Sequence, residues 1–382
     1  MLKNNLFHVF RNAINFSTLS KQKKSIVIYS EGKNYWIEFS SIVHLLINKH
    51  DSHVCFLTSD INDPGLQVFH KNYNSFFIGN GLIRNWIFEN IDADVFAMTM
   101  PDIDIFQIKR SKIKSVKYVY IQHSLVSLHG SYRERAFDNF DILFCSGPHQ
   151  IIEARALEKA NTSKQKVLFE HGYAKIDSLL QQVNSSKFDK IFTKSRTNNK
   201  TVLFAPTWGA NGALSTVGFD IVNNLLLEGF NLIFRPHPES LKHEMHIVKK
   251  ILCSFGDNDQ FHYSSTVDEL WPLLEAKILI TDWSGVAFEF GLALGKPILF
   301  IDVPQKINNL NYKKLNISLF ENTIRNDLGY VLDCDKVEEI GSVLKNMHKN
   351  SHIKQNLNQH VFNVGRSDHE AATYLANLVK TS

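Results

Sequence analysis

The chain has 382 residues, 44% of them hydrophobic and 21% charged, which is the composition of a globular protein with complete cores. That length favours two domains over one. Its 42 basic and 38 acidic residues leave a net charge of +4, too balanced for a dedicated nucleic-acid binder. Cys55, Cys145, Cys253 and Cys334 are widely separated, with neither CxxC nor metal spacing, and suit reduced thiols of a cytosolic protein.

Residues 1–24 form a basic amphipathic leader. Lys3, Arg11, Lys21, Lys23 and Lys24 all precede the first acidic residue, Glu31. Leu6, Phe7, Phe10, Ala13 and Ile14 share one helical face, so 4–17 either lies on an anionic membrane surface or packs on the N-terminal domain. No apolar run approaches the roughly 20 residues that span a bilayer, and no secretory signal is expected.

Short β-branched and aromatic runs then alternate with helical patterns, the mark of βαβ units. The first-half strands are expected at 25–30, 53–59, 93–100, 117–123, 141–147 and 166–172. Their near-continuous apolar character suits parallel strands covered on both faces. The polar, basic stretch 183–200 reads as a linker. Strands resume at 201–208, 231–238, 277–284, 297–302 and 329–333, and the tail 335–382 reads as all helical. The expected fold is therefore α/β and GT-B-like: two Rossmann-like domains whose parallel sheets face each other across a cleft. The N-terminal acceptor domain is 1–190 and the nucleotide-donor domain 191–348. Helices of 349–382 are expected to pack back on the first domain.

The richest segment is TDWSGVAFEFGLALGKPILF at 281–300, which runs polar turn, helix, strand. Hydroxyls and free backbone N–H groups at a helix start favour an anion. Thr281, Asp282, Ser284 and Gly285 are therefore candidate phosphate ligands, although such residues also cap helices routinely. Glu289, one turn on, is placed to accept from ribose hydroxyls or to remain a solvated charge. Upstream, RPHP at 235–238 presents Arg235 and His237 from a rigid strand end, because the prolines forbid helix there. The alternative for His237 is to cap the next helix. APTWG at 205–209 adds Thr207 as a phosphate donor and Trp208 as a stacking platform. In open α/β sheets this carboxyl edge is where ligands bind.

In the first half, His123 ends the strand KYVYIQ and is the candidate general base for an acceptor hydroxyl. His129, Tyr132 and Arg133, with Arg135, are candidates for holding an anionic acceptor. PDID at 101–104, with paired carboxylates, is the strongest candidate for a metal such as Mg2+, although two acids in a loop after a strand are usually just solvated, and no metal ligand is assigned. GLALGKP at 291–297 lacks P-loop spacing, and HEMH at 243–246 is one residue short of HExxH.

These motifs together resemble the CDP-glycerol glycerophosphotransferase family, which includes teichoic-acid primases and polymerases and related capsule polymerases. APTW at 205–208, RPHP at 235–238 and TDWSGVAFEF at 281–290 match its strand-end, R-x-HP and TDYSSVxFDF-like motifs. QHS at 122–124 corresponds to its histidine-glycine motif, and HGYAKID at 171–177 to its G-x-P-R-x-D segment. Gly285, Glu289, Ser124 and Lys175 depart from the family's serine, aspartate, glycine and arginine. The resemblance covers most of 116–302 and implies a GT-B-like architecture. It implies transfer of glycerol phosphate from CDP-glycerol to a glycan or polyprenyl-linked acceptor, at the inner face of the membrane, with CMP released. His123 and His237 would be catalytic. A GT-B glycosyltransferase using a CMP- or UDP-sugar and a non-catalytic nucleotide-binding assembly protein are the alternatives.

Overall fold

The structure, a computed structural model, describes residues 2–106, 108–184, 201–265, 269–350 and 356–380, with backbone only for 2–6 and 348–350. Contacts divide the chain into two units. The first comprises Met1–Asp177, Asn309–Ile317 and Asn358–Ser382; the second comprises Ser178–Asn308 and Ser318–Leu357. The division falls inside the helix Ala174–Asn184. Of the linker expected at 183–200, residues 183–184 complete that helix and 185–200 lie outside the described residues.

The first unit is built on seven parallel strands. These are β1 (Ile26–Ser30), β2 (Val54–Thr58), β3 (Tyr73–Phe77), β4 (Val95–Met98), β5 (Lys117–Ile121), β6 (Ile142–Cys145) and β7 (Val167–Glu170). Their order is β3-β2-β1-β4-β5-β6-β7. Strand alternation sends Val27, Tyr29, Phe96, Met98, Tyr118 and Tyr120 to one core, and Ile26, Ile28, Val95, Ala97, Val119 and Ile121 to the other. Each fully buried Val, Ile, Phe or Met side chain among them contributes about 1.5–3 kcal/mol. The second core is closed by the helix Trp36–Asn48 and by Ala371, Ala372, Leu375 and Ala376 of the C-terminal helix Ser367–Lys380. Asp177 anchors that last helix, its carboxylate accepting from Gly365 N, Ser367 N and Ser367 Oγ. Gly172 is required beside it: with φ +105° it would place a Cβ 2.4 Å from the Phe362 carbonyl oxygen.

The second unit repeats the design with β8 (Thr201–Phe204), β9 (Asn231–Phe234), β10 (Phe261–Tyr263), β11 (Ile278–Thr281), β12 (Ile298–Asp302) and β13 (Gly329–Asp333). These strands are ordered β10-β9-β8-β11-β12-β13, all paired in parallel. Both sheets thus start from the doubly wound 3-2-1-4 pattern, reversing direction between their first and fourth strands. The two strands that the sequence pattern misses, β3 and β10, hold equivalent edge positions. An edge strand is only half covered, so YNSFF and FHY carry polar residues and lack the continuous apolar run.

The leader is the helix Leu2–Thr18. Val9, Ala13 and Phe16 are buried in the first unit, whereas Phe7, Phe10 and Ile14 are 67%, 58% and 48% exposed. Ala13 therefore belongs to the inner stripe, and the apolar face expected from sequence divides in two. Among the described residues no helix is long and apolar enough to cross a membrane.

Candidate functional site

In the second unit the sheet reverses between β8 and β11, so the loops leaving these neighbours diverge and open a crevice at their carboxyl ends. Asp282 organises it. Its buried carboxylate accepts from Thr207 N at 2.7 Å, Trp283 N at 2.8 Å and Ala213 N at 2.9 Å, tying the 205–213 loop to the 281–285 turn. Buried Thr281 donates to the Ala205 carbonyl at 2.7 Å. Both were expected to ligate phosphate, and both instead hold the frame, because their oxygens already satisfy backbone groups inside it. Ser284 differs: half-buried at the helix start, its hydroxyl makes no hydrogen bond among the described residues. The Thr207 hydroxyl is in the same state. Gly285 has φ −59°, an ordinary helical value, so its backbone does not require glycine.

After Val286–Phe288 the helix widens into a π turn over Glu289–Ala293, a distortion common at functional sites. Glu289 is only 3% exposed, so the solvated-charge alternative fails. Its carboxylate is the leading favourable charge on Arg235, itself 4% exposed, which also donates to the Glu269 carbonyl at 3.5 Å. Burial pulls the Arg235 pKa down and Glu289 offsets this. Two charges that would each be costly alone stabilise one another.

His237 does cap the helix Pro238–His243, its Nδ1 accepting from Glu239 N at 3.1 Å. That bond places the proton of the neutral ring on Nε2, making this nitrogen a donor suited to a phosphate oxygen. Trp208 lies beside it, with ring centroids 6.4 Å apart, and stacks on His243 at 5.7 Å. Lys306 Nζ sits 3.0 Å from the Trp208 centroid and donates to the Trp208 carbonyl at 3.3 Å. The Trp208 face expected to stack on a ligand is therefore occupied by a cation. Glu244 accepts from Gly209 N at 3.0 Å and from Ser215 Oγ, so HEMH contributes a loop brace. Lys296 of GLALGKP donates to the carbonyls of Leu273, Leu274 and Ala276, closing the end of the helix Trp271–Glu275. Sequence reasoning missed Lys306, whose isolated position carries no motif, and met His243 only within HEMH, without its place beside Trp208.

In the first unit His123 follows β5, edge-on to Tyr35 at 5.8 Å between ring centroids. A chain of hydrogen bonds sets its tautomer. Tyr132 OH donates to Gln122 Oε1 at 2.9 Å, and Tyr120 OH donates to Tyr132 OH at 3.3 Å. With both hydroxyl protons committed, the 3.4 Å contact of Tyr120 OH with His123 Nδ1 requires an Nδ1–H, leaving the lone pair on Nε2. Burial, then the Lys175 charge, hold the His123 pKa at about 4, so the ring is neutral and basic at neutral pH. The Tyr132 hydroxyl, expected on the acceptor, thus supports His123 instead. His129 is 0% exposed, paired with Glu153 at 3.2 Å and with the Ile317 carbonyl at 3.2 Å. Such burial takes it out of reach of an acceptor. Arg133 is exposed, 3.8 Å from Asp102 and packed over Phe106. Arg135 pairs with Asp138. In PDID, Asp102 thus faces Arg133, while Asp104 accepts from Arg110 N.

Three first-unit histidines make acid stability testable. Burial holds His123 and His149 at about 4 and His171 at about 3, against 6.5 when unfolded. The unfolded chain binds more protons between these values, so their contribution is complete above pH 6.5 and is lost as pH falls toward 4. The melting midpoint should drop across that window, and drop less in a His171→Asn variant. An equal drop in both proteins would exclude a His171 contribution.

Comparison with known proteins places this geometry. The chain is 33% identical over 109 residues to the teichoic acid poly(ribitol-phosphate) polymerase of Bacillus spizizenii, a match spanning 27% of this chain and 16% of that one. The solved structure of a variant of the wall teichoic acid polymerase TagF soaked with CDPG superposes with a TM-score of 0.61. It covers 100% of this chain and 99% of that one at 15% identity. The UDP-GlcNAc 2-epimerase of Methanocaldococcus jannaschii in complex with UDP-GlcNAc and UDP gives 0.57 at 14% identity, covering 92% and 99%. These likenesses carry the fold, two parallel-sheet α/β units of the GT-B type. Residues 111–307, just over half of the chain, match the family described as CDP-Glycerol:Poly(glycerophosphate) glycerophosphotransferase, and the chain belongs to that family.

Proposed function

We propose that this protein transfers glycerol phosphate from CDP-glycerol to a hydroxyl of a glycan or polyprenyl-linked acceptor in the synthesis of a teichoic acid or capsule polymer. The observation that carries the reading is the set of donors at the β8/β11 crevice of a chain belonging to this family. Ser284 Oγ and Thr207 Oγ1, with His237 Nε2–H, are the groups suited to a pyrophosphate, and Arg235 sets the local charge. In the transfer, the acceptor oxygen bonds to the donor's β-phosphorus and the bond from that phosphorus to the bridging oxygen breaks. The pair passes to CMP, and the acceptor proton passes to His123 Nε2. Preorganised donors stabilise the charge that accumulates on the phosphoryl oxygens.

The direct test is CMP release from CDP-glycerol, compared with a panel of CMP- and UDP-sugars in the presence of extracted acceptor glycolipid. Turnover of a sugar nucleotide alone would favour a glycosyltransferase. Tight CDP binding without any turnover would favour an assembly protein.

The reaction belongs at the inner face of the membrane. The exposed Phe7, Phe10 and Ile14 stripe, with Arg11 also exposed, suits insertion among anionic headgroups. Wild type should sediment with vesicles containing phosphatidylglycerol, and a Phe7→Ser/Phe10→Ser variant should remain in the supernatant. Equal sedimentation of the two proteins would exclude this stripe as the anchor.

A further inference from the structure

Lys306 lies outside every motif, yet its position links it to the crevice. It follows β12, the neighbour of β11, so its loop leaves the same carboxyl edge as Ser284. The ammonium rests on the face of Trp208 and on the Trp208 carbonyl. The adjacent Gly209, at φ +118°, would bring a Cβ within 4.0 Å of Nζ.

No carboxylate lies within ion-pair distance of Lys306 among the described residues. The acids that act on it are engaged elsewhere: Asp282 by three backbone N–H groups, Glu244 by Gly209 N and Ser215, and Glu239 by Lys242 at 2.6 Å and His243 at 3.4 Å. A half-buried cation is therefore held by a ring face and one carbonyl, both weaker partners than an anion. We propose that Lys306 is a donor-contacting residue that leaves the face of Trp208 to neutralise the β-phosphate of the bound nucleotide. The assignment rests on the reading of this crevice as the nucleotide-donor site. It also uncovers Trp208 when the donor arrives, which restores that ring as a contact surface.

The charge is available over a limited range. Burial lowers the Lys306 pKa to about 8, while Glu244, Glu239 and Asp282 pull it back up. His237 and His243, whose rings lie beside Trp208, oppose the charge only when protonated. Nucleotide binding should therefore weaken as pH rises above about 8, and less so with arginine at this position.

Calorimetry with CMP and CDP on the full chain tests the proposal. Lys306→Ala should weaken CDP by about tenfold, the size of one charge-assisted hydrogen bond, and leave CMP unchanged. Lys306→Arg should restore most of the loss and remove the decline between pH 7 and 9. Equal affinities for CDP in wild type and Lys306→Ala would overturn the proposal, as would an equal loss of CMP and CDP, which marks mere support of the loop. A Lys306→Met variant, which keeps the apolar stem over Trp208, separates such support from charge. If wild type binds neither nucleotide, the donor-site reading itself fails; if only the variants match wild type, that reading stands and the Lys306 assignment alone falls.

Discussion

Alanine at His123 should abolish transfer to the acceptor while leaving CDP affinity unchanged. The residue belongs to the first unit, whereas the groups suited to the pyrophosphate all belong to the second. Its hydrogen-bond chain through Tyr120 and Tyr132 to Gln122 keeps the proton on Nδ1 and the lone pair on Nε2, the state a general base needs. With the pKa held at about 4, the ring stays unprotonated through the neutral range. The rate should therefore remain flat as pH falls from neutrality and decline only on approaching pH 4, not near the 6.5 of an ordinary histidine. Single-turnover transfer and CDP calorimetry on His123→Ala decide the point. Residual transfer close to wild type, or CDP affinity falling in step with rate, would remove His123 from the role of base.

His237→Ala should lower turnover about a hundredfold, the effect of losing one preorganised oxyanion donor. The ring is fixed by Glu239 N bonding to Nδ1, so Nε2–H has a set direction and little freedom to lose when the donor binds. The substitution also removes a helix cap, which costs about 1 kcal/mol of stability. A urea denaturation curve measured beside the kinetics separates these effects. Should activity fall only in proportion to the unfolded fraction, His237 is a cap and nothing more. His237→Asn, which can retain the cap, should recover the stability and not the rate.

The two histidines show how chemistry divides between sequence and structure. Both were legible as candidates because each follows an apolar strand, at the edge where α/β sheets place ligands. Their opposite tautomers were not legible. His123 is set by Tyr120, three residues back, and by Tyr132, nine residues on, and His237 by the backbone of the following helix. The phosphate turn divides in the same way. Ser284 and Asp282 look equivalent as polar turn residues, and only the packing of the 205–213 loop beneath the turn commits Asp282 inward and leaves the Ser284 hydroxyl available.

The α/β class, eleven of the described strands, the carboxyl-edge location of the candidate site and the family were legible in the chain, because apolar runs, prolines and strand-end motifs are local signals. Tertiary structure alone decided the 3-2-1-4 strand orders, the half-covered edge strands β3 and β10, and the use of Asp177 to anchor the last helix. It also decided the burial of His129 and Glu289 and the seating of Lys306 on Trp208, 98 residues away in the chain. These depend on which distant segments meet, and a side chain's hydrogen-bond partners and dielectric surroundings exist only once they do.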